Sequence, residues 1–364
     1  MKHIVVPTTI RMSLLAVEYP KGGAYEKIGE RGTSHLMEHL MIKTFDAHRE
    51  TLKGLGIDYN AYTDNNQVVF WWSGLDTSIN EMAQTLYEGL TKQRVLWTKE
   101  AFENEKKTVL QEYGDTFNDQ GEGFFENTFR KYYNYTSAIG YREDIESFDY
   151  EMSLHYAKDY MKPRLVCEVG KSNLSISELS TTSPVVDRLV YGDYEKQYVF
   201  DRVPKEDKTL VGLLGKPFIG NTAQMNFVIS CLTGGLESPL YQEIRGKRGL
   251  SYFSSGFTNK VGNQAVPFFY ASTGNEREAE LARVYEGFFI RAAEDCLSED
   301  RFNTCFKNLM IKKEMAEILP HAGAKATVIG ETNPFDGMDT FTYADAIQLM
   351  KTEFAMSNLQ IVSY

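Results

Sequence analysis

The alternation of apolar and polar positions opens with two strands, Ile4-Val5-Val6 and Met12-Ser13-Leu14-Leu15-Ala16-Val17, followed by a turn at Lys21-Gly22-Gly23 and a loop over Ala24–Arg31. From Gly32 to Leu40 the period changes to that of a helix. Leu36, Met37 and Leu40 give it apolar faces, and Thr33 or Ser34 is expected to cap its start. A second helix over Ala47–Leu55 is closed by Gly54 and Gly56. Ile57–Asp64 and Gln67–Trp72 read as two strands joined by a polar turn. Helices follow over Ile79–Leu90 and over Lys99–Glu112, the latter polar on one side with Phe102, Val109 and Leu110 on the other. Residues 113–165 hold further helix, rich in Phe and Tyr, and Leu165–Val169 is a closing strand.

Lys171–Pro184, rich in Ser and Thr, is the expected boundary between a domain over residues 1–182 and another over residues 183–364. Beyond it, Thr209–Gly215, Tyr252–Phe257, Phe268–Ser272 and Leu359–Tyr364 read as strands. Asn221–Leu232, Leu240–Arg248, Glu276–Glu294 and Glu299–Leu319 read as helices. The order of elements echoes the first half without a residue-level repeat. The expected class is α+β: two similar domains, each a mainly antiparallel sheet packed with helices.

With 364 residues, 42% hydrophobic and 24% charged, the chain has the composition of a globular protein large enough for two cores. A net charge of −11 and the lack of long Lys/Arg runs argue against nucleic acid or a membrane surface as partner, and mildly favour neutral or basic peptides. No apolar run approaches membrane-spanning length, and the first twenty residues lack a signal peptide's layout. Cys167, Cys231, Cys296 and Cys305 form no Cys-x-x-Cys pair and sit in apolar contexts. Reduced thiols and a cytoplasmic location are expected.

The candidate chemistry lies in the Gly32–Leu40 helix, which contains His35-x-x-Glu38-His39. Histidines one helical turn apart point the same way and can grip one zinc ion at about 2.0–2.1 Å. Glu38, on the same side, is where a carboxylate can take a proton from water on the metal. The order is the inverse of the commoner His-Glu-x-x-His motif. A catalytic zinc needs a third protein ligand and an open position. The other histidines, His3, His48, His155 and His321, look isolated, so a distant carboxylate or histidine must supply it. Glu105 and Glu112 lie two turns apart on one helix face, though most exposed helical glutamates only meet solvent.

These residues resemble the inverzincin zinc peptidases, the family of pitrilysin, insulysin and the mitochondrial processing peptidase. In that family His-x-x-Glu-His is followed by a glutamate ligand at a spacing that Glu112 meets, and by a second functional glutamate two turns earlier, here Glu105. Thr108–Glu112 is similar to the segment around that ligand. Asn60-Ala61-Tyr62-Thr63 is similar to the edge strand along which substrate backbone pairs, and Leu232–Tyr252 resembles the second-domain signature that ends in Arg245 and Tyr252.

The resemblance implies a mitochondrial-processing-peptidase-like metallohydrolase fold and one Zn2+ per chain on His35, His39 and Glu112. It implies Glu38 as general base, Glu105 orienting or tuning the site, and Asn60, Ala61, Arg245 and Tyr252 binding substrate. The implied activity is that of a zinc endopeptidase acting on peptides or unstructured segments. The implied assembly is a homodimer, or a heterodimer with a related chain, in which Arg245 and Tyr252 face a partner's zinc. The alternative is a non-catalytic peptide-binding or assembly subunit, which typically loses parts of a motif that is intact here. A structural zinc site would need a fourth ligand that is not apparent. The chain departs from the family in its short length and its abbreviated Met41–Asp46 loop.

Overall fold

The computed structural model describes residues 2–8, 10–91, 97–133, 135–170, 174, 208–261, 264–291, 296–318 and 335–363. They form two compact units: Met1–Thr116 with Tyr135–Val190 and Glu314–Glu331, and Phe117–Asn134 with Tyr191–Lys313 and Thr332–Tyr364. Most of Lys171–Pro184, where the domain boundary is expected, lies outside the described residues, as do Ala292–Glu294 and Leu319 at the ends of two expected helices. Among the described residues no helix is long and apolar enough to cross a membrane.

The first unit is built on a five-stranded sheet of β1 (Lys2–Val6), β2 (Met12–Tyr19), β3 (Asp58–Thr63), β4 (Val68–Leu75) and β5 (Leu165–Val169), in the order β1-β5-β2-β4-β3. Only β1 and β5 pair in parallel; the other neighbours are antiparallel. Its helices are α1 (Thr33–Ile42), α2 (Arg49–Gly54), α3 (Asp76–Thr91), α4 (Lys99–Asn118), α6 (Arg142–Ser147) and α7 (Tyr150–Tyr160), with α5 (Gln120–Tyr133) belonging to the second unit. The segment after α1 is not an open loop: Met41 and Ile42 close the helix and Lys43–His48 form 3-10 turns.

Alternation along the central strand explains the layering. Leu15, Val17 and Tyr19 of β2 point into a core with Leu36, Met37 and Leu40 of α1, Phe102 and Val109 of α4, and Leu86 of α3. Leu14 and Ala16 point the other way, against Val69, Leu165, Cys167 and Val169. Burying Leu36, Met37 and Leu40 completely is worth about 1.5–3 kcal/mol per side chain, and it leaves the opposite face of α1 free to carry polar groups.

The second unit has the antiparallel order β7-β8-β6-β9, from β6 (Lys208–Gly215), β7 (Ser254–Val261), β8 (Gln264–Gly274) and β9 (Leu359–Ser363). Val211, Leu213, Phe269 and Ala271 face a core shared with α8 (Thr222–Thr233), α10 (Glu278–Arg291), α11 (Glu299–Ile318) and α12 (Tyr343–Glu353). The expected helix over Leu240–Arg248 is instead one short turn, α9 (Pro239–Tyr241), running into a π-turn over Gln242–Gly246. The expected strand from Tyr252 starts later, at Ser254, and leaves Tyr252 outside the ladder and 83% exposed.

Helix α5 lies against this second sheet. Phe124 and Phe129 both meet Phe268 of β8, with ring centroids 5.6 Å apart in each pair, and the Tyr133 hydroxyl donates to the Gly215 carbonyl. Gly212 permits the approach, because a Cβ there would meet the rings of Phe268 at 2.9 Å and Phe124 at 3.0 Å.

Candidate metal centre

Helix α1 starts from Gly32, whose φ of +98° favours glycine. Neither Thr33 nor Ser34 caps it; both are buried inside the helix. The cap comes from Glu26, whose carboxylate accepts the Gly32 amide at 2.6 Å and the Ser34 amide at 2.5 Å. Gly140 packs so closely on Gly32 that a Cβ at residue 140 would stand 2.3 Å from the Gly32 Cα.

One turn into the helix the two imidazoles meet. His35 Nε2 and His39 Nε2 are 3.2 Å apart, and Glu112 Oε2 lies 3.4 Å from the first and 3.5 Å from the second. Glu112 comes from α4, as does Glu105, whose Oε2 stands 3.3 Å from His39 Nδ1 while its Oε1 stands 3.4 Å from Lys43 Nζ. Burial, helped by the neighbouring His39, pushes His35 down to about 3, so it is a neutral imidazole able to donate a lone pair.

Glu38 accepts a 2.7 Å hydrogen bond from the Thr63 hydroxyl at the end of β3. Burial pushes its carboxyl above the ordinary glutamate value. The Thr63 bond and His39 work against that rise, and Glu112 adds to it.

The donor set fits zinc. Two imidazole nitrogens and one carboxylate oxygen form a nearly equilateral triangle, and tetrahedral bonds of about 2.0–2.1 Å require ligand atoms about 3.3 Å apart. Among the described residues this is the one His/Cys/Asp/Glu group close enough to hold a metal. Glu105 against His39 Nδ1 repeats the carboxylate–histidine pairing that orients metal ligands.

Asn60 and Ala61 lie on β3, the terminal strand of the first sheet; Asn60 is exposed and its Oδ1 accepts the Ala61 amide at 2.8 Å. Arg245 and Tyr252 form a separate pair in the second unit. The guanidinium lies 5.1 Å over the Tyr252 ring and 5.4 Å over the Tyr241 ring, and it donates to the Tyr241 hydroxyl. No motif or period marks Lys43, Glu26 or Tyr241 as contributors, and Thr63, though it closes the Asn60–Thr63 segment, is not marked by it as a partner of Glu38; each acts by a contact that local pattern does not encode.

A two-unit α+β protein with a His-His-Glu cluster on its first sheet's helix layer defines a class, and the comparisons name it. Residues 5–138 match the family described as Insulinase (Peptidase family M16), and residues 171–309 match the Peptidase M16 inactive domain. The chain belongs to the M16 peptidase family.

It is 25% identical over 307 residues to an uncharacterized zinc protease of Rickettsia bellii, covering 77% of this chain and 72% of that one. It is 23% identical to a probable mitochondrial-processing peptidase subunit beta of Arabidopsis thaliana, over 40% of this chain and 29% of that one. In fold it is similar to a protease from Helicobacter pylori, with a TM-score of 0.78, 15% identity and coverage of 99% and 96%. A peptidase M16 inactive domain from Pseudomonas fluorescens gives 0.73, at 16% identity and coverage of 99% and 94%.

Proposed function

We propose that the chain is a zinc-dependent endopeptidase acting on peptides or unstructured segments, with one zinc ion held by His35, His39 and Glu112. The observation that carries the reading is the three-atom triangle of 3.2, 3.4 and 3.5 Å with an intact Glu38 beside it. When bound, the metal supplies Lewis acidity, which lowers the pKa of water and polarises a peptide carbonyl.

The chain's own groups do the rest. Glu38 takes the proton of the attacking water and returns it to the leaving amine. Its burial raises its proton affinity toward what that return step needs, while Thr63 keeps the carboxylate aimed and ionisable. Glu105 holds His39 in the tautomer that leaves Nε2 free for the metal. Substrate adds a strand at β3 near Asn60 and Ala61, where main-chain pairing gives affinity with loose sequence dependence. Arg245 and the Tyr252 hydroxyl donate to substrate.

We further propose a dimer, homomeric or with a related chain, in which Arg245 and Tyr252 serve a partner's zinc. Four free cysteines support a reducing compartment such as the cytoplasm.

A mixed peptide library mapped by mass spectrometry, with Glu38→Gln as control, tests the reading. Cuts made by the wild type and lost in the variant are expected; equal cutting by both overturns Glu38 as base. A non-catalytic peptide-binding subunit would bind the library and leave it intact. For the dimer, mixing Glu38→Gln with Arg245→Ala chains is expected to restore activity, and no recovery after verified subunit exchange refutes the shared site.

A further inference from the structure

The first turn of α1 is gripped from outside the helix. A helix start leaves its first amides without intrahelical partners, and here Gly32 has no side chain to take them. The Thr33 amide reaches the Glu30 carbonyl at 3.0 Å, and the Gly32 and Ser34 amides both go to Glu26, a residue 1% exposed. Beside it lies Lys21, 2% exposed, with its ammonium 3.8 Å from Glu30 and 4.3 Å over the Tyr156 ring. The Tyr156 hydroxyl in turn meets Ser34 Oγ at 2.9 Å. Ser34 is thus held by its amide and by its hydroxyl, one residue before His35.

A carboxylate buried this far is costly unless its charge is used. Burial is the larger effect and pushes the Glu26 carboxyl up to about 7, while two short amide bonds, the positive end of the helix and Lys21 offset part of that cost. A carboxyl that far inside, with one oxygen on each of two amides of the helix start, does not merely solvate a surface. We propose that Glu26 is a positioning residue of the metal centre: its carboxylate clamps the first turn of α1 and so sets His35 and His39 against Glu112. The inference rests on the zinc reading above.

His35 and His39 ride on one rigid helix, whereas Glu112 is on α4. A tilt or slip of α1 therefore moves both imidazoles together relative to the third ligand. Metal–ligand distances in genuine sites stay within about 0.2 Å of their standard values, so such a movement is felt at the site. Glu26→Gln keeps the shape but turns an amide NH2 toward one of the two backbone N–H groups, and it removes the charge.

Zinc affinity, read by competition with a chromophoric chelator, is expected to fall about tenfold or more in Glu26→Gln. Glu126→Gln serves as control, because it disturbs another buried carboxylate, 3.2 Å from Arg130 and in the second unit. It is expected to bind zinc as the wild type does even where its melting temperature falls. Zinc affinity of Glu26→Gln equal to wild type overturns the proposal, as does an equal loss in both variants.

Should Glu26→Gln fail to fold, amide hydrogen exchange in the metal-free wild type decides. The Gly32 and Ser34 amides are expected to be protected like helix-interior amides, and exchange at the rate of free amides overturns the clamp. Wild-type protein that binds zinc but cleaves no peptide sinks the peptidase reading and leaves both of these measurements standing.

Discussion

Replacing Thr63 by valine removes one hydrogen bond from the site and keeps its volume. The hydroxyl is the donor to Glu38 Oε2 at 2.7 Å, from a different element and at the end of the terminal strand. A hydrogen bond to a charged group is worth about 1.5–3 kcal/mol, so catalysis that relies on an aimed Glu38 should fall about ten- to a hundredfold. The sign of the pH effect also follows. Burial raises the Glu38 carboxyl and the Thr63 bond opposes the rise, so without that bond burial acts with less resistance and the carboxyl rises further. The base must be ionised to take a proton, and the acid limb of the kcat/KM profile should therefore move to higher pH. The assay is hydrolysis of a fluorogenic peptide across the pH range for wild type, Thr63→Val and Thr63→Ser. Serine restores the hydroxyl and should return the limb most of the way. An acid limb that stays put or moves to lower pH in Thr63→Val, or a serine variant no better than valine, refutes the reasoning.

A chelator should abolish peptide hydrolysis and added zinc should restore it, with rates followed before and after dialysis. Asp144 accepts the Gly29 and Arg31 amides and grips the Arg31 guanidinium at 2.6 and 3.0 Å, so Asp144→Asn should cost about 3 kcal/mol in urea unfolding near neutral pH. Burial acts to raise that carboxyl, but the Arg31 side chain and the two amides outweigh it and hold it below the ordinary aspartate value. Its stabilisation is therefore present above the unfolded pKa and lost as pH falls through the folded one. The gap between wild type and Asp144→Asn should close in acid. Gly140→Ala places a Cβ 2.3–2.5 Å from Gly32 and Arg31 backbone atoms at a φ of +68°, and should destabilise by about 3 kcal/mol or more by thermal or urea unfolding.

What could be read from the chain was what repeats locally. The helix of His35 and His39 was legible because a histidine pair at one-turn spacing and the apolar Leu36, Met37 and Leu40 obey the same period. Its cap was not. Two hydroxyl residues at the helix start looked like the cap, yet the carboxylate comes from Glu26, and nothing periodic links a loop residue to that turn. Glu105 and Glu112 were indistinguishable from solvated helical glutamates by pattern. Only the resemblance singled them out, and the fold then set them 3.3–3.5 Å from the histidines. The strands were legible from their β-rich runs, but the place of α5 was not, because its Phe124 and Phe129 are satisfied by a sheet far along the sequence. The π-turn at Gln242–Gly246 likewise breaks a segment whose composition reads as plain helix, and the Arg245 it carries lies over the rings of both Tyr241 and Tyr252.

The central claim, a hydrolytic zinc centre with Glu38 as its base, is tested most directly by measuring bound zinc and peptide turnover on one preparation of Glu38→Gln beside the wild type. The account predicts one zinc per chain in both proteins and turnover lower in the variant by about 10²- to 10⁴-fold. Wild-type protein that takes up no zinc, or a zinc-loaded Glu38→Gln that turns peptides over as fast as the wild type, would contradict it.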